Sequence, residues 1–280
     1  MTAILSIQSH VAYGHVGNSA AAFALQRRGH DVWAVPTVLF SNQPGHGGKR
    51  GRTVPAAWLA DMISGVEERG WLARCGAVLS GYLGARAQAE VVAAAVRRTR
   101  AANPHALYLC DPVFGDVPGG IYVDTHLVQD FRELLTPLAD IVTPNAFELA
   151  HLSGRPVDSP ETAITAARRL SAPLVLATSI PIGAREIGTL AVTADEAWIV
   201  PVNLLEAPPH GSGDLMAALF LGHMLDGRTP RQALVRSASA VDALLNAAVS
   251  EGLDEMPLVR MQEVLEAEPA LTATAIGAAA

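Results

Sequence analysis

The sequence predicts a single-domain α/β fold in three layers (α/β/α), with helices on both faces of a mostly parallel central sheet. Three observations carry that expectation. Short apolar runs alternate with helical stretches along the chain, the order of elements that gives parallel strands joined by helical crossovers. Val32, Trp33, Ala34 and Val35 are apolar in succession, as in a strand buried on both faces. No repeat of fixed period and no Pro- or Ser-rich linker divides the 280 residues. Residues 1–267 therefore read as one domain, and the small, low-complexity end, 268–280, as a tail expected to fray.

The elements follow in order. Residues 4–7 are the first apolar strand; Gly14 and Gly17 bound a turn, and Asn18 or Ser19 opens a helix that runs to Arg28. Residues 31–36 are the second strand and 40–52, rich in glycine, a loop. Pro55 suits a first helical turn, and that helix extends to residue 69. A strand at 77–80 leads to an Ala-rich helix at 85–102, and a strand at 106–110 ends on Asp111-Pro112. Helix 127–135, strand 140–143, helices 146–152 and 160–170 and strand 174–178 continue the alternation. Residues 188–193 and 197–200 form a hairpin across Asp195-Glu196, and helices 213–225, 230–249 and 257–267 follow.

Composition narrows the function. No apolar run reaches the roughly 18 residues of a membrane span, and the N-terminus lacks the basic start of a secretory signal. Cys75 and Cys110 make no disulfide framework, so a cytoplasmic setting is expected. Cys110 closes an apolar run and reads as a buried, inert thiol. A net charge of −7 argues against a general nucleic-acid binder. The dense basic cluster Lys49-Arg50-Gly51-Arg52 reads either as a solvated loop or as a lid that helps to neutralise polyphosphate.

The most informative stretch is Pro208-Pro209-His210-Gly211-Ser212-Gly213-Asp214, followed by an apolar run at 215–221. Gly211 and Gly213 let the backbone turn tightly and approach a ligand. The first amides of the next helix point outward with the positive end of its dipole behind them, which makes an anion site. Asp214 would repel a resting anion. It makes sense where a phosphoryl group is in transit and Asp214 takes the proton of the attacking hydroxyl. The alternative is an ordinary carboxylate at a helix N-terminus.

In open parallel sheets, ligands gather at the carboxyl ends of the strands. Those positions are Ser9-His10, Phe40-Ser41-Asn42, Ser80-Gly81-Tyr82, Asp111-Pro112, Thr143-Pro144-Asn145 with Glu148, and Thr178-Ser179, all polar, small or aromatic apart from Pro112 and Pro144. Asp111, Asn145 and Glu148 suit Mg2+, partly through water, with Asn145 and Glu148 on one helix face. The alternatives are a capping pair and, for Asp111, a turn residue. His10 and His15 lack a partner at metal-ligand spacing, and Ser80 lacks the preceding glycine of a nucleophile elbow. Neither Gly-x-Gly-x-x-Gly after the first strand nor a Walker-type Gly-Lys-Ser/Thr occurs, so any nucleotide is held by another architecture.

An ordered series of motifs resembles the pyridoxal kinases of the ribokinase-like superfamily. It comprises Gln8-Ser9-His10 through Gly17-Asn18, Phe40-Ser41-Asn42, Ser80-Gly81-Tyr82-Leu83-Gly84, Asp111-Pro112-Val113-Phe114-Gly115-Asp116, Thr143-Pro144-Asn145-Ala146-Phe147-Glu148, Val192-Thr193-Ala194-Asp195-Glu196-Ala197-Trp198 and Gly211-Ser212-Gly213-Asp214. The resemblance implies ATP-dependent phosphorylation of the 5′-hydroxymethyl group of pyridoxal, and of pyridoxine or pyridoxamine. It implies Mg2+, a monovalent cation such as K+ as a further candidate, and a homodimer. By position, Asp214 resembles the general base and Gly211, Ser212 and Gly213 the anion hole. Ser9, Val16, Gln43, Pro44, Gly45 and Tyr82 resemble the vitamer site. Asp111, Thr143, Glu148, Thr178 and Ser179 resemble the ATP and magnesium side, Val202, Asn203, Leu204 and Leu205 the border of the adenine, and residues 116–122 a flap over the phosphates.

The chain departs from the family pattern at Gln43-Pro44, where His-Thr is usual, at Thr178-Ser179, where near relatives carry a lysine, and at Ile121, where some have cysteine. Arg185 or the Lys49 cluster is the expected replacement for that lysine's charge. Two rivals stand beside this reading: a hydroxymethylpyrimidine or other small-molecule kinase of the same superfamily, and a vitamer-binding protein with weak catalysis.

Overall fold

Six parallel strands form the centre of a ten-stranded sheet, and antiparallel strands extend it at both edges. The structure is a computed structural model that describes residues 2–277; the side chain of Pro44 also lies outside the described part. In chain order the elements begin with β1 (Ala3–Tyr13), α1 (Asn18–Arg27), β2 (Asp31–Asn42), β3 (Gly51–Thr53) and α2 (Ala56–Glu67). Next are β4 (Cys75–Ser80), α3 (Ala87–Ala102), β5 (Leu107–Cys110), β6 (Gly115–Asp116), β7 (Gly120–Ile121) and α4 (Thr125–Asp130). Then come β8 (Ile141–Val142), α5 (Ala146–Ser153), α6 (Pro160–Ala167), β9 (Leu174–Pro181), β10 (Glu186–Val192) and β11 (Ala197–Asn203). The last are α7 (Ser212–Leu225), α8 (Pro230–Glu251) and β12 (Thr274–Ala275). The large sheet has the order β12-β11-β10-β9-β8-β5-β4-β1-β2-β3, and β6 pairs with β7 in a separate hairpin.

Residue type explains the layers. β1 is buried continuously from Ala3 to Ser9, as a strand covered on both faces must be. One core joins α1, α7 and α8 to the sheet through Leu25, Leu219, Phe220 and Leu244. Another packs α2 and α3 through Leu59, Ile63, Val92 and Val96. α7 is buried without interruption from Leu215 to His223, so a helix apolar on every side lies inside the domain. Capping boxes start α5 (Asn145 with Glu148), α6 (Ser159 with Thr162) and α8 (Thr229 with Gln232). The chain passes from β1 to β2 on one side and later to β4 on the other, so a crevice opens at the carboxyl ends of β1 and β4.

Six expectations change. Residues 32–35 are not buried on both faces: Val32 and Trp33 are half-buried and Ala34 is exposed, because β2 lies next to the edge strand β3. The first strand does not end at residue 7; β1 runs on to Tyr13, so Ser9 and His10 lie within it. Residues 40–52 are not all loop: β2 runs on to Asn42, and β3 returns beside it, with Leu39 opposite Arg52. A helix at 257–267 is absent; Met256 and Leu258 are both buried, and a helix would turn residues two apart about 200° from each other. Only a short 3-10 turn, Gln262–Leu265, remains of it. The helix expected at 127–135 is α4 followed by a π turn, Phe131–Leu135. Residues 268–277 do not fray: Ala273 is buried, its carbonyl accepts from Arg231, and β12 pairs with β11. Residues 278–280 lie outside the described part. Among the described residues, no helix is long and apolar enough to cross a membrane.

Candidate active site

The site is built where α7 begins. Gly211 has φ +93°, and a Cβ there would fall onto the carbonyl oxygen of His15, so only glycine fits. No side chain caps α7, which leaves its first amides outward-facing; Gly213 has open space before it. Asp214 lies in the first turn, half-buried. Burial pushes its carboxyl up to about 6, against the opposing hydrogen bonds from the Gly17 amide and its own amide. Gly17, with φ +53°, is pressed so closely on Ser9 that a side chain would strike the serine hydroxyl. Gly17 thus packs on Ser9, which lies inside β1, and brings its amide toward Asp214. Val16 lies beside Gly211.

Asp111 follows β5 and is buried at 4 % exposure. Its Oδ1 accepts from the Thr143 hydroxyl at 2.8 Å. Burial, and then the charge of Asp214, push the Asp111 carboxyl up to about 8. Glu148 is equally buried, and it is held well above the usual carboxylate range by burial and then by Asp111. Its Oε1 accepts from Phe114 N–H at 3.1 Å and its Oε2 from Asn145 N–H at 2.9 Å. The Asn145 carboxamide is also engaged: Oδ1 accepts from Glu148 N–H, and Nδ2 donates to the Gly115 carbonyl. Asn145 and Glu148 are therefore a capping pair, the blander of the two sequence alternatives. Asp111 nevertheless feels the charge of Asp214, and Glu148 that of Asp111. Among the described residues, no three His, Cys, Asp or Glu side chains are grouped to hold a metal by themselves.

The segment 116–122, expected as a flap, contains most of the β6–β7 hairpin. Burial, and then the negative charges of Glu148, Asp116, Asp111 and Asp214, raise the hydroxyl pKa of Tyr122 at its end. Beyond the carboxylates, Thr178 donates its amide to the Pro144 carbonyl and bridges to Asn145. Ser179 is exposed with φ +55°, a sparsely populated conformation for a residue other than glycine. Val202 and Asn203 end β11; Leu204 is 53 % exposed and donates its amide to the Arg185 carbonyl, and Leu205 follows half-buried. Arg185 thus accompanies this border. The Lys49 cluster does not: the Lys49 ammonium lies over the Phe40 ring at 3.9 Å, and β3 is at the sheet edge remote from β9 to β11.

On the other wall, Tyr82 is half-buried after β4 and its carbonyl accepts from Thr37. Gln43 is buried, and its side-chain oxygen accepts from Gly45 N–H at 2.6 Å. Gly45 sits against His210. Sequence reasoning read Gly17 only as a turn residue and assigned no role to His210 or to Glu255. A glycine after β1 carries no local sign that it will meet a carboxylate that follows β11.

The sequence model of a family described as phosphomethylpyrimidine kinase matches residues 29–258. The chain is 48% identical over 275 residues to a pyridoxal kinase of Rubrobacter xylanophilus, covering 95% of this chain and 94% of that protein. It is 44% identical to a pyridoxal kinase of Corynebacterium diphtheriae, over 94% of this chain and 95% of the other. The chain belongs to the pyridoxal kinase family. Among solved structures it is similar to the pyridoxal kinase from Leishmania donovani in complex with ADP and pyridoxamine, with a TM-score of 0.92, 29% identity, and 99% and 100% of the two chains covered. The pyridoxal kinase from Entamoeba histolytica gives a TM-score of 0.91 at 25% identity, over 98% and 99%. The ribokinase-like, three-layer fold of pyridoxal kinases is therefore the fold of this chain.

Proposed function

We propose that this protein transfers the terminal phosphoryl group of ATP to the 5′-hydroxymethyl group of pyridoxal, and of pyridoxine or pyridoxamine. The observation that carries the reading is Asp214 in the first turn of α7, directly after Gly211, Ser212 and Gly213 at a helix start that no side chain caps. The vitamer lies between Ser9, Val16 and Tyr82 on one side and the loop of Gln43, Pro44 and Gly45 on the other. The nucleotide lies along Thr143, Thr178, Ser179 and the segment Val202, Asn203, Leu204 and Leu205. The alcohol oxygen forms a bond to the γ-phosphorus as the bond to the β–γ bridging oxygen breaks, and ADP leaves. The alcohol proton passes to Asp214 as the new bond forms, when that proton has become acidic. Amides of Gly211, Ser212 and Gly213 receive the charge of the transferring group.

An oxygen-only set with mutually raised carboxylates fits Mg2+. Asp111 would hold the ion directly or through water; Glu148, whose oxygens carry backbone amides, would act through water, and Asn145 would keep Glu148 in place. Bound Mg2+ would offset phosphate charge and align the γ-phosphoryl group. The family resemblance also carries a homodimer, a monovalent-cation effect and a cytoplasmic location; the last accords with two buried free thiols, Cys75 and Cys110.

Purified protein incubated with ATP, Mg2+ and each vitamer, or with hydroxymethylpyrimidine, tests the reading. A phosphorylated pyridine is expected. A phosphorylated pyrimidine alone, or tight vitamer binding without turnover, would replace it with one of its rivals.

A further inference from the structure

Glu255 lies just beyond α8, 240 residues from His15, which it touches, and is 9 % exposed. Its Oε2 accepts from His15 N–H at 2.7 Å and stands 3.7 Å from His15 Nδ1. Its Oε1 stands 3.2 Å from His46 Nε2, an ion-pair contact when that imidazole is protonated, with no hydrogen bond formed between the two atoms. Gly14 packs directly on the carboxylate, where any side chain would collide with it. The neighbouring Asp254 accepts from the Tyr13 hydroxyl at 3.1 Å, a second tie from the same loop to the end of β1.

These contacts reach both walls of the site. The 14–17 turn carries Val16 and the His15 carbonyl against Gly211, and the Gly17 amide to Asp214. The 43–48 loop places Gly45 against His210, immediately before the anion hole. We propose that Glu255 is a positioning residue that fastens the 43–48 loop to the 14–17 turn and so sets the width of the vitamer site. The inference rests on the vitamer-kinase reading. A buried carboxylate accepting from a backbone amide is among the stronger ties a loop can have, and an opening of about 1 Å is enough to spoil a reacting geometry. An open depression of about 450 Å³, lined by Tyr13, Ser41, Asn42, His46, Gly48 and Asp254, borders the loop.

The test is steady-state kinetics of Glu255→Ala, Glu255→Gln, His46→Ala and the Glu255→Ala/His46→Ala double variant, with pyridoxal and ATP varied separately. Glu255→Ala is expected to raise KM for pyridoxal about tenfold and to leave KM for ATP within about twofold. Glu255→Gln should recover most of that loss, because its carboxamide oxygen still accepts from His15 N–H. His46→Ala should give a smaller rise and add nothing in the double variant, since both changes cut one tie. Equal rises in both KM values, or an unmoved KM for pyridoxal in both Glu255→Ala and His46→Ala, would overturn the proposal while the kinase reading stood. If Glu255→Ala does not fold, Glu255→Gln and His46→Ala still decide it. A wild-type protein that phosphorylates no vitamer would overturn both readings.

Discussion

The two halves of the crevice are held in different ways. On the side of β5 and β8, Asp111, Thr143, Asn145 and Glu148 are fixed by bonds made within a few residues of a strand end or a helix start. Glu148 alone accepts from the amides of Phe114 and Asn145, and its cap is part of α5 itself. On the side of β1 and β2, the ties run across the molecule: Gly17 to Asp214, Gly45 to His210, His15 and His46 to Glu255. The difference teaches where each property resides. The carboxylate side takes its hydrogen bonds at strand ends and at the start of α5, within the regular elements themselves. On the other side it is the 14–17 turn and the 43–48 loop, outside the regular elements, that hang on a few long-range contacts, and segments held in that way are the ones that open locally.

The contrast is broken most severely at Asp214. Asp214→Asn is expected to lower kcat about 10²–10⁴-fold with both KM values changed only a few-fold, because the proton acceptor is lost while the walls stay. In the wild type, kcat/KM should rise through a limb near pH 6, where Asp214 ionises; the limb should vanish in the variant. Gly211→Ala comes next. Its φ of +93° and the His15 carbonyl leave no room for a methyl group, so the first amides of α7 must shift. A fall in kcat of about 10²-fold is expected, read by the same assay, together with a lower melting temperature.

Asp111→Asn tests the carboxylate side. A carboxyl whose folded pKa is about 8 and whose unfolded value is near 4 binds more protons folded than unfolded over that interval. Its contribution to stability is complete below pH 4 and is lost as pH rises toward 8, by at most about 1.4 kcal/mol per pH unit. The ligand-free protein should therefore melt at lower temperature at pH 8 than at pH 6. Mg2+ should restore more stability at pH 8, where the carboxylates are ionised. Asp111→Asn should flatten both trends in thermal unfolding; a wild-type slope of opposite sign, or one untouched by the substitution, would remove the electrostatic account.

The same contrast sets what could be read from the sequence. The parallel core was legible because β1, β2, β4, β5, β8 and β9 each contain a short apolar run and helices separate them, although β1 and β2 extend well beyond theirs. Asp111, Thr143, Glu148 and Asp214 were legible because they stand at strand ends or beside glycines at a helix start. The Asn145–Glu148 spacing correctly offered a capping pair, since both partners of that bond lie within one turn. Glu255 and the Gly17–Asp214 bond were not legible, because each partner looks ordinary in its own segment and the bond exists only once β1, α7 and the end of α8 have met. The missing helix at 257–267 and the strand at β12 have the same cause: packing of Met256, Leu258 and Ala273 against the rest of the fold decided against local preference.

Gly45 offers the mildest way to sharpen the comparison. A Cβ at this position would stand 2.7 Å from Gln43 Oε1 and 2.8 Å from His210 Nε2. Both are ends of flexible side chains, and Gly45 is not in a left-handed conformation, so the loop can adjust without backbone strain. Gly45→Ala should therefore cost at most about 0.5 kcal/mol of stability and raise KM for pyridoxal about two- to threefold, with kcat and KM for ATP held. An effect confined to pyridoxal would place the loop on the vitamer wall. A rise in KM for ATP of the same size would mean that this wall and the carboxylate wall move together, and the division between a side held within its regular elements and a loosely tied side would fail.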